Sequence, residues 1–195
     1  MKNTDTRVRY TKDVLKKSLL EILKIKRIDR VTVKELCEKA QINRGTFYLH
    51  YSTPNDLLYE IEKDFMKDHS ELFTGYMVEA SHKKNDEGID KLQALFKITL
   101  ENADLCSIIF GPNGDPRFTE RIKKNMKPEI LEHWSVEFPR YDKKHLEYIF
   151  DYVFSGSMSI INNWMNDQES ITVEQLANRL DRLGHYCHLA IQEFN

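Results

Sequence analysis

An all-α fold follows from three features of the 195-residue sequence. Apolar residues recur at spacings of three and four along most of the chain. Only 7 Gly and 5 Pro punctuate it, and alternating Val/Thr-rich runs of strand type are few. Helix-capping residues stand just ahead of several apolar-periodic stretches. The expected architecture is a three-helix unit over residues 1–53 and a larger helical body over 54–195, about nine helices in total.

Residues 1–9 are polar and read as a frayed or extended tail, with Arg7 and Arg9 as a candidate basic arm. The first helix is expected over residues 11–26, capped by Thr11, with Val14, Leu15, Leu19, Ile22 and Leu23 on one face and Lys12, Lys16, Lys17 and Lys24 on the other. A short helix follows Thr32. Thr32 and Glu35 form a capping box, and Val31 and Leu36 a hydrophobic staple around it. Gln41-Ile42-Asn43 breaks the pattern, and Asn43 caps a second short helix from Arg44. Phe47 and Tyr51, four apart, face inward. Arg44, Gly45, Thr46, Tyr48, Leu49 and His50 are left to face outward or sideways. A cation, a hydroxyl, a glycine, a phenol and an apolar tip suit a helix that enters a DNA major groove.

Thr53 and Pro54 start a long helix running to about residue 77, with Asp56 placed to favour its dipole. Residues 78–88 read as a loop, or as a frayed helix end followed by a loop. A helix over 89–102, a short one over 103–110, and a stop at Gly111-Pro112 follow. Asp115 and Pro116 restart the chain as cap and first helical residue, and Pro128 is expected to kink or divide the helix that follows. The last two helices are expected over 143–166 and from Thr172, where Thr172 and Gln175 form a second capping box.

The stretch 32–51 resembles the helix-turn-helix of the tetracycline-repressor (TetR/AcrR) family of bacterial regulators. TVKELCEKA, the turn QIN, and GTFYLHY followed by NDLL carry the resemblance, over about residues 8–60. FGPNGDPRFTERI and SGSMSIINNW are similar to the C-terminal domain of the low-G+C Gram-positive branch of that family. The resemblance implies a DNA-binding head, a ligand-binding and dimerising body, and phosphate contacts from Thr32, Tyr48 and His50. The family usually has a lysine where Pro54 stands, so here one phosphate contact loses its cation, leaving the backbone amides after Pro54 to serve a phosphate.

Charge agrees with that division. Residues 1–54 hold 13 Lys+Arg against 6 Asp+Glu, a net +7, and residues 55–195 hold 16 against 25, a net −9. A basic head on an acidic body is the electrostatic footprint of a DNA reader. Lys16 and its neighbours would supply affinity by counterion release. Base reading falls to Arg44, with guanine as its natural target, and to Thr46 and Leu49, which suit a thymine methyl, while Gly45 allows close backbone approach. The expected function is that of a ligand-responsive repressor, with double-stranded DNA carrying a palindromic operator as partner, bound by a homodimer.

In the body, Phe65, His69, Phe73, Phe96, Phe110, Phe118 and Trp134 are candidate pocket residues for a small, mostly apolar effector. Val153, Gly156, Ile160, Trp164, Leu176, Leu180, Leu183, Cys187 and Ile191 are candidate dimer-interface residues on the last two helices. No GxSxG, P-loop or HExxH is present, so no enzyme activity, cofactor or metal is expected. His185 and His188 stand at metal-like spacing but lack further ligands. Three separated cysteines, no apolar run of about 18 residues, and no apolar stretch near the N-terminus point to a cytoplasmic protein with no membrane association. The competing reading is a co-regulator that acts mainly by binding another protein.

Overall fold

The computed structural model describes residues 2–79, 86–167 and 171–193. Among them are nine α-helices, a 3-10 turn and no strand: α1 (Lys2–Leu23), the turn Ile28–Arg30, α2 (Val33–Ala40), α3 (Arg44–Tyr48), α4 (Pro54–Glu79), α5 (Asp86–Glu101), α6 (Ala103–Ile109), α7 (Phe118–Glu137), α8 (Lys143–Asn166) and α9 (Val173–Glu193). The all-α expectation holds. The chain divides into two compact units. One comprises Met1–Met66 with Asp104–Phe118, the other Lys67–Ala103 with Thr119–Asn195.

In the first unit, α1 starts at Lys2, not at residue 11, so Thr11 lies inside the helix and is not its cap. No Gly or Pro occurs in that stretch to oppose helix propagation. Leu15, Leu19 and Leu23 are almost completely buried, and α1 packs on α2, which packs on α3. Thr32 caps α2 by accepting from Glu35 N at 3.2 Å. The reciprocal half of the expected box is replaced: the Glu35 carboxylate accepts from Lys26 Nζ. An ion pair to a nearby ammonium outcompetes a bond to a backbone amide that water can also satisfy.

The turn after α2 depends on Gln41, which adopts a left-handed conformation at φ 54° and ψ 38°. Ile42 N then donates back to Cys37 O at 3.0 Å, closing the helix C-terminus. Gln41 is the one non-glycine residue with positive φ among those described.

Residues 104–118 return to the first unit and are tied to it by Asn113. Its side-chain amide donates to Leu23 O at 2.9 Å, at the C-terminal end of α1, and its backbone carbonyl accepts from Ile28 N at 2.9 Å. The bend that presents Asn113 needs glycine: a Cβ on Gly114 would lie 2.7 Å from the carbonyl oxygens of Ile108 and Ile109. Asp115 accepts from Arg117 N at 2.9 Å, as a cap would, but Pro116 and Arg117 form a turn closed by Phe118 N on Asp115 O. Helix α7 therefore starts two residues later than expected.

In the second unit, α5 and α9 form the most extensive pairing, with α8 also against α9. Phe150 and Phe154 stack at 5.7 Å in its core, flanked by Trp134 and Phe73. Pro128 lies within an undivided α7. Its ring side is exposed to solvent, so the lost amide is tolerated without splitting the helix. Thr172 and Gln175 make the full capping box: Gln175 N donates to Thr172 Oγ1 at 3.3 Å and Thr172 N to Gln175 Oε1 at 3.1 Å. Asp142 caps α8 by accepting from His145 N. The loop expected over 78–88 is narrower, since α4 reaches Glu79 and α5 starts at Asp86. Residues 80–85 lie outside the described residues.

The left-handed Gln41 carries a testable consequence. An L side chain in this conformation costs about 1–2 kcal/mol, and glycine pays back part of that through its larger unfolded-state entropy. Gln41→Gly should therefore raise unfolding stability by about 0.5–1 kcal/mol, seen as a higher urea midpoint with an unchanged slope.

Candidate nucleic-acid interface

Helix α3 has five residues, and three local devices fix it. Asn43 caps it, accepting from Gly45 N at 2.8 Å. Phe47 is completely buried and meets Tyr48 edge-on at 5.6 Å and Tyr51 at 5.8 Å. His50 N donates to Phe47 O at 2.9 Å, closing the last turn. A Cβ on Gly45 would crowd Asn43 Oδ1 at 3.3 Å, so glycine here also protects the cap.

With Phe47 held inward, the opposite surface is open. Tyr48 is 59% exposed and Leu49 80% exposed. Arg44 and Gly45 are exposed, and Thr46 and His50 half-buried. Among the described residues, Arg44, Lys17 and Lys39 have no carboxylate within ion-pair distance. Thr32 is exposed, and its hydroxyl accepts from Glu35 N, which leaves its proton free to donate outward. The seven residues singled out around the motif thus share one unit, and the side chains of Arg44, Tyr48 and Leu49 project from it.

Lys16 differs. Its ammonium bridges to Glu60 Oε1 at 2.9 Å and Asp64 Oδ2 at 2.6 Å on α4. Lys12 holds the same Glu60 at 2.9 Å and stands 5.4 Å from the Tyr51 ring centroid. These lysines are committed to joining α1 to α4, and their charge is largely neutralised there. The start of α4 is likewise occupied. Asp56 Oδ2 accepts from Ser52 N at 3.0 Å and Thr53 N at 2.8 Å, and Asp56 N donates to Thr53 Oγ1 at 3.3 Å. Pro54 has no amide to offer. Of the amides after Pro54, that of Asp56 is engaged by Thr53 Oγ1, while the Asp56 carboxylate takes the amides of Ser52 and Thr53 ahead of the helix.

The candidate effector residues fall into both units. Phe65, Phe110 and Phe118 belong to the first, with ring centroids 5.1–6.3 Å apart in one aromatic cluster. His69, Phe73, Phe96 and Trp134 belong to the second and are all buried. Phe96 packs on Trp164 at 5.7 Å. A cleft of about 450 Å³ in the second unit is lined by none of the seven. It lies between α7 and the start of α8, and only the pairing of two distant segments creates it.

The candidate dimer residues also divide. Trp164, Leu176 and Leu180 are buried within the chain, whereas Leu183 is 50% exposed. Val153, Ile160 and Cys187 are half-buried, and Gly156 is exposed with no atom within 4 Å of a built Cβ. The Ile191 side chain lies outside those described. Two residues not singled out, Tyr148 at 63% and Tyr152 at 72% exposed, extend the same surface of α8.

A family model described as "Transcriptional regulator C-terminal region" (TetR_C_8) matches residues 86–186, more than half of the chain. The chain belongs to the TetR family of transcriptional regulators. Over 50 residues it is 36% identical to the "Uncharacterized HTH-type transcriptional regulator YxbF" of Bacillus subtilis (strain 168). That match spans 26% of this chain and 13% of the relative, so it compares a segment, not whole proteins. A TetR transcriptional regulator from Streptococcus agalactiae 2603V is similar in fold, with a TM-score of 0.64 at 18% identity, over 93% of this chain and 97% of that one. "Dihydroxyacetone kinase operon activator DhaS" is similar with a TM-score of 0.52 at 16% identity, over 95% and 98% of the two chains. TetR-family members are transcription regulators, not enzymes, and bind DNA as dimers. Among the described residues, no helix is long and apolar enough to cross a membrane.

The α1–α4 ion-pair network makes this TetR head acid-sensitive. Burial raises the Glu60 pKa, but hydrogen bonds from Lys12 and Lys16 outweigh it and hold the carboxyl down at about 2. A depressed folded-state pKa gives stability that is present above the unfolded value, near 4.5, and lost as pH falls toward 2. Discounted for solvent screening, the loss should be about 1–2 kcal/mol. Denaturation between pH 6 and pH 3 should show it, and Glu60→Gln should flatten that part of the profile.

Proposed function

We propose that the protein is a sequence-specific repressor that binds a near-palindromic operator as a homodimer, with α3 as the reading helix. The observation that carries this is the surface of α3: Tyr48 and Leu49 stand open to solvent on a helix anchored by a fully buried Phe47. Large exposed side chains on a short rigid helix suit a groove floor. Arg44 supplies the bidentate donor for a guanine edge, and Thr46 and Leu49 meet a thymine methyl. Thr32, Tyr48 and His50 hold phosphates and set register. With Lys16 engaged internally by Glu60 and Asp64, affinity rests on those three and on Lys17, Lys39 and Arg44.

The second copy docks on α8 and α9. Tyr148, Tyr152, Gly156 and Leu183 leave an open surface with a small residue at its middle, which permits close helix approach. Dimerisation sets two reading helices one helical turn apart, about 34–36 Å, and this makes the operator two-fold symmetric. A small, mostly apolar effector bound in the body releases DNA, provided it prefers one state of the dimer over the other. Phe73, Phe96 and Trp134 with His69 are its candidate contacts.

Selection of DNA from a random pool, followed by gel-shift titration, tests the reading. The expected product is a palindrome bound by the purified protein alone. Binding that appears only when a partner protein is added would support the co-regulator reading instead. Arg44→Ala should relax choice at one base pair per half-site and cost about 1–3 kcal/mol. Tyr48→Phe should weaken all sequences alike. Unchanged base choice in Arg44→Ala would remove that residue from the reading set.

Dimerisation has its own readout. Gly156→Arg puts a long cation where no atom of the same chain intrudes, so the monomer fold should be kept. Light scattering should then report a monomer, and operator affinity should drop by at least tenfold, on the order of the 1.4 kcal/mol that such a factor represents. A dimer of unchanged affinity would move the interface elsewhere.

A further inference from the structure

Asn113 is followed by Gly114, and no other asparagine in the chain precedes a glycine. Both residues are required by the bend they occupy. A Cβ on Gly114 would lie 2.7 Å from the carbonyl oxygens of Ile108 and Ile109, and one on Gly111 2.2 Å from that of Ser107. Pro112 and Asn113 fill the middle of the turn between these glycines, which Gly114 N closes on Gly111 O at 3.2 Å. Asn113 Nδ2 donates to Leu23 O at 2.9 Å, one of the carbonyls that the end of α1 leaves without a helical donor.

An Asn–Gly pair carries chemistry of its own. With no side chain on the following residue, the Gly114 backbone nitrogen can reach the Asn113 side-chain carbon, Cγ. The closed turn holds the two apart. Attack on Cγ needs Gly114 N to turn away from Gly111 O and the Asn113 side chain to leave Leu23 O. Gly114 is buried and Asn113 half-buried. Reaction therefore waits on opening of the turn, and its rate scales with the open fraction.

We infer that Asn113 is a deamidation site gated by this turn, and that its conversion releases the turn from the end of α1. In the open state Gly114 N bonds to Cγ and the Cγ–Nδ2 bond breaks. The Gly114 proton passes to the leaving nitrogen, which departs as ammonia. Water then opens the cyclic imide. Addition at Cγ gives aspartate, and addition at the backbone carbonyl gives isoaspartate. Water is the one co-reactant, and nothing is oxidised or reduced. Aspartate sets a carboxylate, which has no proton to donate, against Leu23 O at the negative end of the α1 dipole. Isoaspartate also displaces the carbonyl that Ile28 N uses. Neither product restores the contact, so the step runs one way. It does not depend on the DNA-binding reading.

Peptide mapping by mass spectrometry tests the gate, on full-length protein aged at mildly alkaline pH with and without urea. Conversion at Asn113 should be slower in the folded protein by about tenfold or more. Pro112→Gly, at an exposed position, loosens the turn without removing packing. It should speed conversion of the folded protein about two- to fivefold and leave the rate in urea unchanged. Hydrogen exchange tests the consequence. The Ile28 amide should exchange faster in Asn113→Asp and in the aged protein than in the parent, while the amides of Leu15 and Leu19 keep their protection. The inference is overturned if Asn113 converts as fast when folded as in urea, if it converts in neither, if Pro112→Gly leaves the folded rate unchanged, or if the Ile28 amide of Asn113→Asp exchanges as in the parent.

Discussion

The burial of Phe47 is the constraint on which the reading surface depends. A five-residue helix has no stability of its own, since nucleation costs more than one turn returns. α3 exists because its single inward ring is fully enclosed and its ends are fixed by neighbours in sequence. Asn43 holds the first turn, and Gln41 accepts a left-handed backbone so that the chain can leave α2 and re-enter as α3. Everything outward on α3 is positioned by these three residues and selected by none of them. In the proposed reading, Arg44, Thr46 and Leu49 can therefore change with the DNA sequence without disturbing the scaffold. Tyr48 belongs partly to both sets, exposed at its hydroxyl end and edge-on to Phe47 at its ring.

Charge in the head illustrates how a count differs from an arrangement. A net +7 over residues 1–54 suggests a broad basic face. In the folded head, Lys12 and Lys16 turn toward Glu60 and Asp64, and Lys26 toward Glu35. These pairs join segments that lie far apart in sequence or flank a turn, and they withdraw cations from the field that DNA would meet. What remains near α3 is a smaller set, Arg44, Lys39 and Lys17. Such a set favours register and contact geometry over diffuse attraction. Asp56 acts in the same direction by taking the amides of Ser52 and Thr53 just ahead of α4, where Pro54 has already removed one amide.

Caps and stops were legible in the sequence because they are made by residues two to four apart. The Thr32, Asn43, Thr53 and Thr172 caps, the bounds of α8, and the buried pair Phe47 and Tyr51 all follow from such short separations. The TetR-type motif was legible for the same reason, since its signature residues lie within twenty positions. Longer-range facts were not. Asn113 ties residues 104–118 to the end of α1 across ninety positions, and no local pattern announces that return. Phe65, Phe110 and Phe118 gather into one cluster, apart from Phe73, Phe96 and Trp134, because facing depends on which helices meet. Periodicity gives the inward side of each helix and leaves its partner open. The α1 start was missed for a different reason: a polar stretch without Gly or Pro can continue a helix that has already nucleated downstream.

The last two helices show the same limit with a useful outcome. Every third or fourth residue of α9 is apolar, so periodicity assigns Leu176, Leu180 and Leu183 to one stripe. Burial separates them: Leu176 and Leu180 are enclosed, while Leu183 is half open. The stripe winds around a helix whose neighbours, α5 and α8, cover only part of its surface. Where that cover ends, apolar residues continue into solvent, and Tyr186 joins them at 59% exposed. α8 shows a parallel change, from the enclosed Phe150 and Phe154 to the open Tyr152 and Gly156. An apolar stripe that outlasts its intramolecular partner leaves area whose burial would yield about 25 cal/mol per Å². In the proposed dimer a second copy would supply that cover by symmetry, since the same surface is present on both chains. The tyrosines suit such a place, because each pairs a large apolar ring with a hydroxyl that stays satisfied at a wet rim.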